Sequence, residues 1–164
     1  MKRTIDLCGE WTLREAAGRG NIPARVPGSV LGALLAAGLM EDPFRRENEY
    51  DAAKLLDRDY TFTRVFDVGQ AFLACEKKDL VFLGLDTLAE VTLNGHRVLS
   101  ADNMHRTWRV DVKSLLKPGP NELSVLLRSS ANFAARAAAG QKRFHFFEEG
   151  FGLACVKQVA QPVM

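Results

Sequence analysis

The strongest constraint on the fold of this chain is the stretch from residue 79 to residue 128, where short apolar segments succeed one another with only turns between them. Residues 79–85 (DLVFLGL), 90–100 (around VTLNGHRV), 107–112 (TWRVDV) and 122–128 (ELSVLLR) each read as strand, and 117–121 (KPGPN) reads as a turn. Parallel strands need crossovers of about a dozen residues or more, usually helical. There is no room for them here, so these strands must pair antiparallel.

Within this stretch Asn94-Gly95 separates two apolar runs, the strongest short-range signal for a two-residue hairpin. Such a turn pairs Leu93 with His96 and Val91 with Val98. It also puts His96 on the apolar face at the lip of the sheet, with Arg97 turned away beside Thr92. His96 there is expected to pack rather than to react. Residues 79–85 are apolar on both faces and are expected to form a central strand covered on each side. In 107–112, Trp108, Val110 and Val112 point in while Thr107, Arg109 and Asp111 point out.

The first half of the chain adds strands at 10–14 (EWTLR) and 60–68 (YTFTRVFDV). The second of these carries Tyr60, Phe62, Phe66 and Val68 on one face, interrupted by Arg64. Between them lies a helical island, with Ser29 as its cap, Leu31, Leu34 and Leu35 on one face, and Gly38 where the helix ends. Residues 132–140 (NFAARAAAG) are a second short candidate that would have to dock on the sheet. The whole reads as one all-β sandwich domain over residues 1–164 with one or two short helices.

Composition removes several classes of function. The net charge is only +2 and no run of five basic residues occurs, so nucleic acid is not an expected partner. No apolar run approaches the roughly 18 residues that span a bilayer, so no membrane partner is expected. Two basic residues near the start are not followed by a continuous apolar segment, so no signal peptide is expected. Cys8, Cys75 and Cys155 are isolated and suggest buried or half-buried thiols in a reducing cytoplasm.

Candidate chemical groups are sparse. His96, His105 and His145 have no Cys, Asp or Glu partner at metal-ligand spacing, and no metal or cofactor is expected. The pairs Gly18/Gly20 and Gly150/Gly152 lack a Walker lysine and its strand-to-helix context. Glu148 and Glu149 are adjacent and point apart on an extended segment, which reads as a solvated acidic corner. Asp57 and Asp59 flank Arg58 and read as surface charge. Trp11, Trp108, Phe62 and Phe66 are expected to fill the core, while the run at 144–147 (FHFF) alternates too little to assign.

Taken together, CGEWTLREA, VPGSVLGALLAAGLMEDPFRRENE, DYTFTRVF and LVFLGLDTLAEVTLNGHRVLSADNMHRTWRVDVKSLLKPGPNELSV resemble the N-terminal domain of β-mannosidases in glycoside hydrolase family 2. The resemblance runs from about residue 7 to 129 and more weakly to 157. It implies a jelly-roll β-sandwich, often called the sugar-binding domain. It also implies that the two catalytic glutamates belong to a (β/α)8 barrel absent from this chain, so no catalytic residue is expected here. The family's Trp-Asp-Trp-Gly segment would follow residues 154–164, and Tyr60 stands where the family usually has tryptophan. In relatives the loop at 42–49 (DPFRRENE) lies near the active-site mouth. There Asn48 is the residue suited to hydrogen-bond a sugar hydroxyl, or else to satisfy local backbone. The implied partners are a mannoside in the intact enzyme and the missing catalytic barrel, with self-association of a fragment or truncated gene product as a consequence. The other functional classes are a stand-alone carbohydrate-binding module and a docking domain of another family 2 glycosidase.

Overall fold

The computed structural model describes residues 3–18 and 20–139. Its strands are β1 (Gly9–Glu15), β2 (Asn21–Val26), β3 (Tyr60–Val68), β4 (Asp79–Phe82), β5 (Ala89–Leu93), β6 (His96–Ala101), β7 (Trp108–Asp111) and β8 (Gly119–Leu127). Its helices are α1 (Val30–Ala36), α2 (Asn48–Leu56), α3 (Gln70–Leu73) and α4 (Ser130–Ala139). The readings placed on Gly140, the 144–147 aromatic run with His145, Glu148, Glu149, the 150–152 glycines, Cys155 and 154–164 lie outside the described residues.

Six strands form one antiparallel sheet in the order β2-β1-β3-β8-β5-β6, and β4 pairs with β7 in a second. The centre of the large sheet is the ladder between β3 and β8, which runs unbroken from Tyr60 opposite Leu127 to Val68 opposite Gly119. Period-two alternation sends Phe62, Leu123, Val125, Val91 and Leu13 to the inner face, all fully buried. Leu80, Phe82, Leu85 and Val112 face them from the second layer and join the same core. This is the all-β sandwich that the alternation implies, and the jelly roll that the resemblance implies.

Arg64, which interrupts the apolar face of β3, has a structural use. Its Nη1 donates to the carbonyls of Leu7 (2.8 Å) and Cys8 (2.5 Å). The Trp11 indole N–H donates to Leu7 as well, at 2.8 Å, so the chain entering β1 is held from both sides.

Several expectations are corrected. The central strand expected at 79–85 is only Asp79–Phe82 and lies in the two-stranded sheet, leaving Val81 and Leu83 exposed. β2 carries Pro23, which cannot donate to a ladder and so hides the strand in the sequence; it is tolerated here because β2 is an edge strand. In α1 the buried face is Val30, Ala33 and Leu34, with Leu31 partly buried and Leu35 exposed. Ser29 does cap it, accepting from Gly32 N at 3.0 Å. The turn before α1 needs glycine, since a Cβ on Gly28 would sit 2.2 Å from the Arg25 carbonyl oxygen. Helices α2 and α3 leave little mark in the sequence, because α2 fully buries only Ala52 and α3 is a single turn.

The hairpin forms as read, with Asn94 (φ 51°) and Gly95 (φ 81°) in the left-handed region that a type I′ turn needs. Leu93 pairs with His96, but a bulge between Val91 and Thr92 moves the next register so that Val91 faces Leu99 rather than Val98. His96 is exposed on edge strand β6 rather than packed at the lip. Cys8 is also exposed rather than buried, while Cys75 is half-buried.

The two-stranded sheet is clamped at one end by Asp79, which accepts from Arg109 at 2.9 Å and pairs with Lys77 at 3.4 Å. The hydrogen bond from Arg109 is the main cause that holds the Asp79 carboxyl below its ordinary value of 3.8. A carboxylate depressed in the folded state favours folding above its unfolded pKa and loses that contribution as pH falls through the folded value. Asp79→Asn is therefore expected to flatten the acid limb of stability below pH 3.8, measured by urea midpoints across the acid range, with little change in slope at neutral pH.

Candidate functional site

The corner between α1 and α2 holds the one residue singled out for ligand contact, and it is organised around Asp42. The Asp42 Oδ1 accepts from Phe44 N at 3.0 Å, and its carbonyl accepts from Arg45 N at 3.1 Å. These local bonds turn the chain by the mechanism typical of an aspartate-led turn. Arg46 then takes a left-handed conformation (φ 52°), and Asn48 opens α2.

Asn48 is half-buried, and its Nδ2 donates to the Asp42 carbonyl at 3.0 Å. The donor half of its amide thus closes the loop. The same corner leaves apolar groups in water. Leu35 and Leu39 are exposed, Tyr50 is 64% exposed, and Phe44 is 97% exposed although its backbone is pinned. A phenylalanine held rigidly in solvent gains nothing for the isolated fold, and exposed apolar groups of this kind mark contact surfaces when they gather.

A second feature is a shallow groove lined by Glu15, Asp57, Arg58, Asp59, Asn132 and Arg136, where α4 crosses the end of the large sheet. Three of its charges, Glu15, Arg58 and Asp59, are paired. Arg58 Nη1 donates to both Glu15 oxygens at 3.0 and 3.1 Å. Asp59 accepts from Ser129 N at 2.8 Å and from Arg128 at 3.0 Å, and Arg128 also donates to Glu90 at 3.0 Å. The Glu90 bond is the largest cause raising the Arg128 pKa above its ordinary value. Asn132 Nδ2 donates to the Asp57 carbonyl and ties α4 to the end of α2. Asp59 is therefore a strut rather than loose surface charge.

The other candidate groups lie apart. His105 is exposed beside Asn103, whose Oδ1 accepts from its backbone N–H at 2.9 Å. Trp108 packs half-buried under the Arg106 guanidinium, 4.5 Å from the ring centre. Trp11 and Phe62 are core residues, and Phe66 packs partly buried against them. The Cys8 thiol is pushed up from its ordinary pKa, first by its hydrogen bond to Asp6. Among the described residues no three His, Cys, Asp or Glu side chains gather as metal ligands.

Residues 11–160 match the family model described as glycosyl hydrolase 2 galactose-binding domain-like. The chain belongs to this family. Within it, the β-mannosidase of Mus musculus is 30% identical over 131 residues, which take in 80% of this chain and 15% of that one. β-Mannosidase A of Aspergillus aculeatus is 33% identical over 115 residues, 69% of this chain and 12% of its own. The crystal structure of β-D-mannosidase from Dictyoglomus thermophilum matches with a TM-score of 0.82 at 35% identity, over 85% of this chain and 17% of that chain. An exo-chitosanase of Amycolatopsis orientalis shares the fold at a TM-score of 0.65 and 17% identity, over 73% of this chain and 16% of its own. The glycosyl hydrolase 2 domain seen here is thus an N-terminal domain of β-mannosidase-like proteins, and the chain spans about 15% of the length of the curated relatives it matches.

Two substitutions separate the structural part of this corner from its display. Asn48→Ala removes the bond to Asp42 and is expected to cost about 0.5–1.5 kcal/mol of stability. Phe44→Ala, at a side chain that touches no core, is expected to stay within about 0.5 kcal/mol of wild type. Urea unfolding of the two variants checks both.

Proposed function

We propose that this chain serves as the non-catalytic N-terminal domain of a β-mannosidase whose catalytic (β/α)8 barrel lies outside it. The parent reaction is removal of terminal β-D-mannose with retention, in which one glutamate acts as nucleophile and the other as acid and then base. The observation that carries this reading is the match to the Dictyoglomus thermophilum β-D-mannosidase, at 35% identity and a TM-score of 0.82 over 85% of the chain. The more distant exo-chitosanase, at 17% identity, supports the sandwich alone.

In this reading the α1–α2 corner is the working surface. Leu35, Leu39, Phe44 and Tyr50 are the groups that the rest of the enzyme covers, and burial of apolar area supplies the driving force. Asn48 helps shape one wall of the sugar pocket. With its Nδ2 given to Asp42, its Oδ1 is the atom that accepts from a sugar hydroxyl.

The pure chain is expected to leave an aryl β-mannoside unhydrolysed and to give no saturable heat on titration with manno-oligosaccharides. A measurable glycosidase rate would overturn the non-catalytic assignment. Saturable binding would instead favour a stand-alone carbohydrate-binding module.

A further inference from the structure

We propose that Asn94-Gly95 is a deamidation site that the native fold keeps closed, so that its reaction records opening of the corner between β5, β6 and β8. The chemistry is that of any Asn-Gly pair. The Gly95 backbone nitrogen attacks the Asn94 side-chain carbonyl carbon, the new N–C bond forms, and the bond to Nδ2 breaks. Ammonia leaves with the amide proton. Water then opens the cyclic imide at either carbonyl, giving aspartate or isoaspartate at position 94. Glycine favours the attack because it has no side chain to obstruct it.

The fold holds the Asn94 carboxamide at both ends. Its Nδ2 donates to the Leu115 carbonyl and to Asn121 Oδ1, each at 2.8 Å. Its Oδ1 accepts from Glu122 N at 3.0 Å, while Asn94 N donates to the Glu122 carbonyl at 2.8 Å. The side-chain carbonyl thus takes the place of a backbone one and extends the β5–β8 ladder by one step beyond Leu93 and Leu123. Asn121 is itself fully buried and donates to Lys117 and Gly119. Swinging the carboxamide back toward Gly95 requires breaking three hydrogen bonds, so the attack must await local opening.

The product does not fit the site that made it. A carboxylate at 94 still accepts from Glu122, but it faces two oxygen acceptors, the Leu115 carbonyl and Asn121 Oδ1, with no proton to share. An isoaspartate also inserts an extra backbone carbon into a two-residue turn. Each opening that leads to reaction is therefore irreversible and weakens the hairpin.

The test is incubation of the full chain at mildly alkaline pH, with peptide mass spectrometry following the residue 94–95 peptide and amide exchange following Glu122 N–H. The folded chain is expected to deamidate at least about tenfold more slowly than the same chain in strong urea. In low urea, deamidation and Glu122 exchange are expected to rise by the same factor, because one opening governs both. Equal rates in the folded and unfolded chains would overturn the proposal. So would deamidation of the folded chain that does not respond to low urea while Glu122 exchange does.

Discussion

The unbroken pairing of β3 with β8 is the interaction on which the rest of the molecule depends. Tyr60 to Val68 lies against Gly119 to Leu127 along its whole length, and every other strand of the large sheet is reached through one of these two. β1 and β2 attach on the β3 side, and β5 and β6 on the β8 side. Because side chains alternate, this single register also sends Phe62, Leu123 and Val125 to the interior together. A slip of one residue by either strand would turn that strand's inward set to solvent.

The α1–α2 corner is built differently. It hangs from the sandwich through α1, whose Val30, Ala33 and Leu34 reach the core, and through Tyr60, whose hydroxyl donates to the Leu55 carbonyl at 3.0 Å. Beyond these anchors α2 buries only Ala52. The corner holds its shape by backbone and side-chain hydrogen bonds around Asp42, together with Met40 and Leu55, which pack partly buried against the core. That division matches the proposal that the rest of the enzyme covers this surface.

The parts of the fold set by alternation and turn chemistry were legible in the sequence. Asn94-Gly95 named its hairpin, Ser29 its cap, and residues 107–112 their inward and outward faces. What was not legible depended on neighbours distant in the chain. The double-sided apolar run at 79–85 looks central, but only Leu80, Phe82 and Leu85 reach the core; Val81 and Leu83 face outward. The bulge after Val91 leaves no mark in composition, and α2 has too little apolar periodicity to announce itself. At the site, Asn48 was visible as a suitable amide, but its bond to Asp42 was not, because the turn that brings them together is local and irregular. The pairing of Arg128 with both Asp59 and Glu90 joins three segments that no spacing rule connects.

In this structure the sheet carries the core and the α1–α2 corner is surface laid upon it. Native-state hydrogen exchange on the full chain tests this most directly, residue by residue. Amides of Phe62 and Val125 should exchange only through global unfolding, and those within α2 should exchange through local opening at a much lower free energy. Protection of the α2 amides equal to that of Phe62 and Val125 would contradict the account, since it would make the corner part of the cooperative core.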